Sequence, residues 1–213
     1  MIPDNFKKTI IMGELKYCWL DKSFENVEEK DLNFENKEVL SYRKLTTPQL
    51  IELLKTAHQN FETNRVPSIL QTLHACHNNY PSQQLVSSRM IYAFQGFFSG
   101  LLKHFKEEEL GFFTFALKLH ETVQQGFVNG SFLKESKMNS EVFKDHHQLI
   151  WDDFNQLLRL TKLYANMIGG MEVSVLQGQL EALKQDLEKH DSIESQVLVI
   201  KVLFLERDLK QMI

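Results

Sequence analysis

Residues 97–113 read FFSGLLKHFKEEELGFF, and this stretch decides the fold class. Its apolar residues, such as Leu101 and Phe112, recur at the three- and four-residue spacing of one face of an α-helix. His104 and Glu108 lie in the same stripe, four residues apart, so both side chains face the same way as the apolar ones. We therefore predict a long amphipathic helix that turns a histidine and a glutamate toward a protein core.

The same five-residue unit returns near the end of the chain as His190 and Glu194. This second pair shares a stripe with Leu183, Leu187 and Val197. A buried carboxylate without a partner costs several kcal/mol, so two glutamates in apolar stripes need cations, protons or a metal. Metal is the simplest of these three solutions.

Three further histidines fall on apolar stripes. His58 lies one turn after Leu54, His77 one turn after Leu73, and His147 begins a stripe in another predicted helix. A lone inward histidine is more often an ordinary core residue, but five of the eight histidines on such stripes favour a metal site. Histidine nitrogens and bridging carboxylates suit iron, manganese or zinc, so the residues alone do not fix the metal.

The long apolar periods, with only nine glycines and four prolines, predict an all-α protein. Its four long helices cover about residues 47–77, 84–124, 138–168 and 172–210. Short connections between them are typical of an up-down-up-down four-helix bundle over residues 46–213. Residues 1–45 are rich in charged residues and asparagine, and we expect a loosely structured appendage there.

Composition excludes several other classes of protein. Cys18 and Cys76 are too few for a disulfide framework and are not spaced as a zinc pair, which favours a reducing compartment. The start of the chain lacks a secretory signal, and no apolar run is long enough for a membrane span. The net charge of −4 is mixed along the chain, without a basic face for nucleic acid. We expect a cytoplasmic protein, monomeric or dimeric.

This arrangement resembles the hemerythrin-like superfamily, and more closely its di-iron proteins for the repair of iron centres. The resemblance covers about residues 46–205. In that family the first ligand precedes a proline by eight or nine residues, as His58 precedes Pro67 here. The second ligand lies four residues before a proline, as His77 precedes Pro81. The paired units at the second and fourth helices match the family's two segments of histidine, three residues and glutamate.

The match to the family is incomplete in two places. The family's acidic-histidine segment matches Asp145-His146-His147, where a direct match favours His146 and the apolar register favours His147. We choose His147. Longer family members also carry a small N-terminal domain with adjacent cysteines, whereas this chain has only Cys18 in that region.

The resemblance implies two non-haem iron ions, bridged by oxo and carboxylate groups. The implied ligands are His58, His77, His104, Glu108, His147, His190 and Glu194. The implied function is repair or protection of iron–sulfur clusters under nitrosative or oxidative stress, by iron donation or redox chemistry, with damaged iron–sulfur proteins as acceptors. One alternative is a hemerythrin-type module that binds or senses O₂ or NO without turnover. A metal-free helical scaffold is a second alternative.

Overall fold

The computed structural model describes residues 37–126, 140–168 and 170–211. All regular structure within these ranges is helical, which confirms the predicted all-α class, and they contain no β-strand. The α-helices are α1 (Lys37–Tyr42), α2 (Thr47–Asn60), α3 (Val66–Asn79), α4 (Gln84–Glu108), α5 (Thr114–Gln125), α6 (Ser140–Ile168), α7 (Met171–Ile193) and α8 (Val199–Gln211).

Three short π-helical segments join pairs of these helices without ending them. They are Phe61–Arg65 between α2 and α3, Glu109–Phe113 between α4 and α5, and Glu194–Leu198 between α7 and α8. The described chain thus forms four long helices, over residues 47–79, 84–125, 140–168 and 171–211, which we call the first to the fourth long helix.

The start of the first long helix follows from its sequence. The Thr46 hydroxyl accepts a hydrogen bond from the backbone N–H of Gln49, and the Gln49 side chain accepts one from the backbone N–H of Thr46. This reciprocal cap satisfies two N–H groups that the helix cannot pair internally. Further along, Pro67 has no N–H to donate. The chain accommodates it directly after the π segment, where the N–H of Val66 bonds to the carbonyl of Phe61.

The apolar interior consists of two clusters of buried side chains. Cluster one draws on all four long helices and includes Phe61, Leu73, Phe94, Phe105, Phe154 and Leu180. Cluster two draws on α1 and on the first, second and fourth long helices, and includes Val39, Leu54, Phe113, Ala116, Val197 and Val202. The long helices contact one another through α3 with α4, α4 with α6, α3 with α7, and α5 with α8. This packing is compatible with a helical bundle.

The predicted appendage is in part helical. Residues Lys37–Tyr42 form α1, and Val39 is buried in cluster two. The rest of the appendage, residues 1–36 with Cys18, lies outside the described residues. Among the helices that are described, none has the length and apolar character needed to cross a membrane.

Candidate metal centre

The structure brings six of the seven predicted ligands together, between the two apolar clusters. They are His58 from the first long helix, His104 and Glu108 from the second, His147 from the third, and His190 and Glu194 from the fourth. Five of the six are buried, and the side chain of His147 is 12% exposed. All four long helices therefore contribute to this polar centre, which is largely buried between the two apolar clusters.

The first group of donors consists of His58, His190 and Glu108. The Nε2 atoms of the two histidines lie 2.8 Å apart, and His58 Nε2 lies 3.3 Å from Glu108 Oε2. One atom from each residue can be chosen so that all three lie within 4.8 Å of one another. Metal–nitrogen and metal–oxygen bonds are about 2.0–2.2 Å long, so donors at this spacing could share one ion.

The second group consists of His104, His147 and the same Glu108. His104 Nε2 forms an ion pair with Glu108 Oε1, and His147 Nε2 lies 3.2 Å from that oxygen. His147 Nε2 also lies 3.5 Å from Glu194 Oε2. Glu108 therefore presents one oxygen to each group, which is the arrangement of a bridging carboxylate.

The two inner glutamates have opposite ionisation preferences. Burial and then the nearby charge of Glu108 raise the pKa of Glu194 well above its usual range. Burial also acts to raise the pKa of Glu108, but hydrogen bonds from His104, His147 and His58 overcome it and hold that pKa well below its usual range. Without a cation, Glu108 is the ionised carboxylate and Glu194 keeps its proton.

Glu194 also lacks a well-formed hydrogen bond. Its side chain is 0% exposed, and neither carboxyl oxygen makes a hydrogen bond of ordinary geometry with the described residues, although the Glu108 carboxylate and His147 Nε2 lie close by. Buried polar atoms are normally hydrogen-bonded, and an exception needs an explanation. A cation beside Glu194 would satisfy these oxygens and allow the carboxyl group to ionise.

The histidines are also shifted in opposite directions. Burial lowers the pKa of His190 to about 3, so this ring is neutral and can act as a ligand. Burial also acts to lower the pKa of His147, but the neighbouring Asp191, Glu108 and Glu194 overcome it and raise that pKa to about 10. Ligand nitrogens must be deprotonated, so a metal ion that binds here has to displace protons from His147 and Glu194.

Two further carboxylates, which the sequence analysis missed, contact the outer sides of the donor histidines. Glu109 Oε1 lies 2.8 Å from His58 Nδ1, and Asp191 Oδ1 lies 2.8 Å from His147 Nδ1. Each acidic residue directly follows an inward-facing residue, Glu108 or His190, in the sequence. That adjacency is the signal that could have identified them.

The π segments coincide with the donors. One begins three residues after His58, one directly after Glu108, and one at Glu194 itself. Since π turns are rare and concentrate at functional sites, three of them next to the donors support a functional centre at this point. Pro67 lies two residues after the first of these segments, and Gly111 lies within the second.

His77 is the predicted ligand that the structure does not bring to the centre. It lies on the same long helix as His58, 19 positions further on, which corresponds to roughly 28 Å at the rise of an α-helix. Its Nδ1 instead lies 2.9 Å from the Ser87 hydroxyl oxygen. His77 lies on an apolar stripe, as His58 does, but the continuous helix carries the two rings far apart.

The contacts of the His147 side chain bear on the alternative between His146 and His147. His147 contributes both ring nitrogens to the contacts above, one toward Glu108 and the other toward Asp191. His146 lies in α6, and its side chain is outside the described part of the chain. The structure therefore places His147 at the centre, as the apolar register indicated.

No protein-family model, curated protein or solved structure matches the chain. The donors themselves indicate what can bind at the centre. Four imidazoles and Glu108 form two groups that could hold a metal ion, with Glu194 beside them, and this mixture of nitrogen and oxygen donors suits iron, manganese or zinc. The unbonded oxygens of Glu194 fit the same interpretation.

Proposed function

We propose that this protein is a non-haem di-iron protein with a hemerythrin-like, up-down-up-down four-helix bundle. The observation that carries the proposal is the division of Glu108 between two donor groups, one oxygen to each. Carboxylates and histidines that project inward from bundle helices are an established way to hold two irons. The resemblance described above selects iron from the metals that the donors would accept.

In this proposal each iron takes two histidines. His58 and His190 would hold one iron, His104 and His147 would hold the other, and Glu108 and Glu194 would contribute to both. Six protein donors are too few to saturate two irons, so the pair could also bind a small ligand such as O₂ or NO. When bound, the iron pair would supply one-electron chemistry and diatomic binding, while the protein holds the donors and excludes water.

We further propose a role in the repair or protection of iron–sulfur clusters under nitrosative or oxidative stress. The edge of the centre supports exchange of iron or small ligands with the surroundings. The Glu109 and Asp191 side chains are 37% and 26% exposed and contact His58 and His147, respectively, whereas Glu108 is almost fully covered. An ion would therefore have a short route past these outer carboxylates to a damaged iron–sulfur protein.

The alternative function is reversible binding or sensing of O₂ or NO. The observation that favours it is the apolar lining on the first donor group. Phe105 stacks on the His58 ring at a centroid distance of 3.9 Å, and Phe61 and Phe113 also lie against this group. Such a dry wall limits the entry of water and protons, which suits a module without turnover.

Metal analysis of protein produced in iron-rich medium tests the proposal. We expect about two irons per chain, as in other carboxylate–histidine bundles. Iron loss to an apo-cluster acceptor would favour repair, and stable reversible oxygenation of the reduced form would favour carriage. Zinc alone, or no metal, would contradict the proposed di-iron centre.

The matched control is the His77→Ala variant, which removes a histidine of the same helix that lies outside the two donor groups. It should retain the iron content of the parent protein. Loss of both irons in this variant would contradict the proposed ligand set.

A further inference from the structure

We propose that Glu109 and Asp191 are positioning residues, each of which holds one histidine of a different donor group in its metal-binding tautomer. This inference rests on the proposed di-iron function. It assigns a role to two acidic side chains that contact ligands without belonging to the inner set of donors.

The hydrogen bonds determine which ring nitrogen carries the proton. The Glu109 and Asp191 carboxylate oxygens can only accept, so the Nδ1–H groups of His58 and His147 donate to them over 2.8 Å. A neutral imidazole has a single N–H. When a metal ion displaces the proton that Nε2 shares with Glu108, the remaining proton stays on Nδ1, and the Nε2 lone pair of each ring is left for the ion.

Helix geometry explains why these two positions reach a neighbouring helix. Consecutive residues of an α-helix point about 100° apart, so a residue that follows an inward-facing one points toward the side of the helix. Glu109 follows Glu108 on the second long helix and reaches His58 on the first. Asp191 follows His190 on the fourth long helix and reaches the third. Each donor group therefore receives one outer carboxylate.

His58 is held by a second contact from the same helix. Phe105 stacks against its ring at 3.9 Å with an interplanar angle of 12°. The stacked face fixes the plane of the ring, and the hydrogen bond to Glu109 fixes its rotation within that plane. A ring restrained in both ways loses little further freedom when a metal binds, which is the effect of preorganisation.

The outer carboxylates also balance charge. Two divalent ions exceed the combined charge of Glu108 and Glu194 by two, and Glu109 and Asp191 supply the two missing negative charges. Uncompensated charge in a buried site is expensive. Each outer carboxylate can therefore be expected to favour the ion of its own group more than the ion of the other group.

The test is an anaerobic titration with Fe²⁺ in competition with a chelator, which resolves the affinities of the two ions. Outer-shell substitutions typically cost about 10–100-fold in metal affinity. Glu109→Ala should lower the affinity for one of the two ions by about that factor, and Asp191→Ala should lower the affinity for the other. The double variant should lower both affinities. Glu109→Gln and Asp191→Asn keep an acceptor oxygen and lose the charge, so each should restore part of the lost affinity.

The controls are Glu107→Ala and Asp153→Ala, which remove exposed acidic residues, the first from the long helix of Glu109 and the second from the long helix of His147. Both should bind two ions with parental affinity. Parental affinity in Glu109→Ala and Asp191→Ala as well would overturn this inference and leave the di-iron proposal standing. If each single variant lowered the affinity for both ions equally, the assignment of one carboxylate to each group would be overturned. A parent protein that binds no pair of ions would overturn both proposals.

Discussion

The first long helix carries two histidines on its apolar side, and their surroundings differ. At the candidate metal centre, His58 approaches Glu108, Glu109 and the ring nitrogen of His190. Near its end, His77 approaches a hydroxyl group, that of Ser87. Spacing along one helix therefore identifies histidines that turn toward neighbouring helices, but those neighbours decide whether such a histidine can bind a metal.

The two sites also differ in how far the protein alone satisfies them. The buried Ser87 hydroxyl can donate to a backbone carbonyl of the preceding turn while its oxygen accepts from His77. The Ser87 hydroxyl is thereby satisfied without an ion. At the centre, by contrast, the buried oxygens of Glu194 accept no hydrogen bond of ordinary geometry from the described residues, although His147 Nε2 lies 3.5 Å from Oε2. This difference favours a cation at the centre over a cation beside His77.

Removal of the shared carboxylate should give the largest effect. Glu108→Ala takes one oxygen from each donor group, so we expect nearly complete loss of iron from both. Metal analysis of the purified variant measures this. Full iron occupancy in Glu108→Ala would contradict the bridging role, and the surface variant Glu107→Ala provides the control.

Exchange of each histidine for alanine compares the two sites directly. His58→Ala should lower the iron content by about half or more, because one iron keeps a single histidine. His77→Ala should keep the iron and lose a hydrogen bond worth about 1 kcal/mol, seen as a small decrease in the free energy of unfolding. The reverse pattern of iron loss would show that the ligand set has been assigned to the wrong end of the helix.

Glu194→Gln should affect metal-free and metal-loaded protein in opposite directions. The pKa of Glu194 is raised in the folded state, so stability falls as pH rises from the ordinary pKa of a glutamate toward the raised value. A glutamine has no proton to lose, so the metal-free variant should gain on the order of 1 kcal/mol relative to its parent at about pH 8, and less at about pH 5.

Urea unfolding of both metal-free proteins at the two pH values measures this difference. Iron should then stabilise the parent protein more than the variant, because the variant lacks one bridging carboxylate. A gain that is independent of pH would contradict the raised pKa of Glu194.

Substitution of Phe105, the aromatic residue that stacks on His58, should have the smallest effect on iron binding. Phe105→Leu removes the ring that stacks on His58, and we expect a several-fold weaker affinity for one iron, at a stability cost of roughly 1–2 kcal/mol. Phe97→Leu is the control, since Phe97 lies in cluster one against Phe94 and Phe154. The same loss of iron affinity in both variants would mean that general loosening of the core, rather than the stacking contact, is responsible.

The helices and the inward donors could be predicted because both follow from a single rule, the three- and four-residue spacing of one helix face. His104 with Glu108 and His190 with Glu194 carry that rule most clearly. Glu109 and Asp191 could not be found in this way, because an acidic residue off the apolar stripe looks like an ordinary surface residue. His77 was assigned to the centre because it lies on an apolar stripe and matches the family resemblance, although the predicted helix over residues 47–77 already separates it from His58 by roughly 28 Å.

A crystal structure of the iron-loaded protein, with anomalous diffraction recorded at the iron edge, would locate the metal ions themselves. We predict two iron peaks on either side of the Glu108 carboxylate, one beside His58 and His190 and the other beside His104 and His147. A single peak, no peak at these residues in iron-loaded crystals, or a peak beside His77 would contradict it.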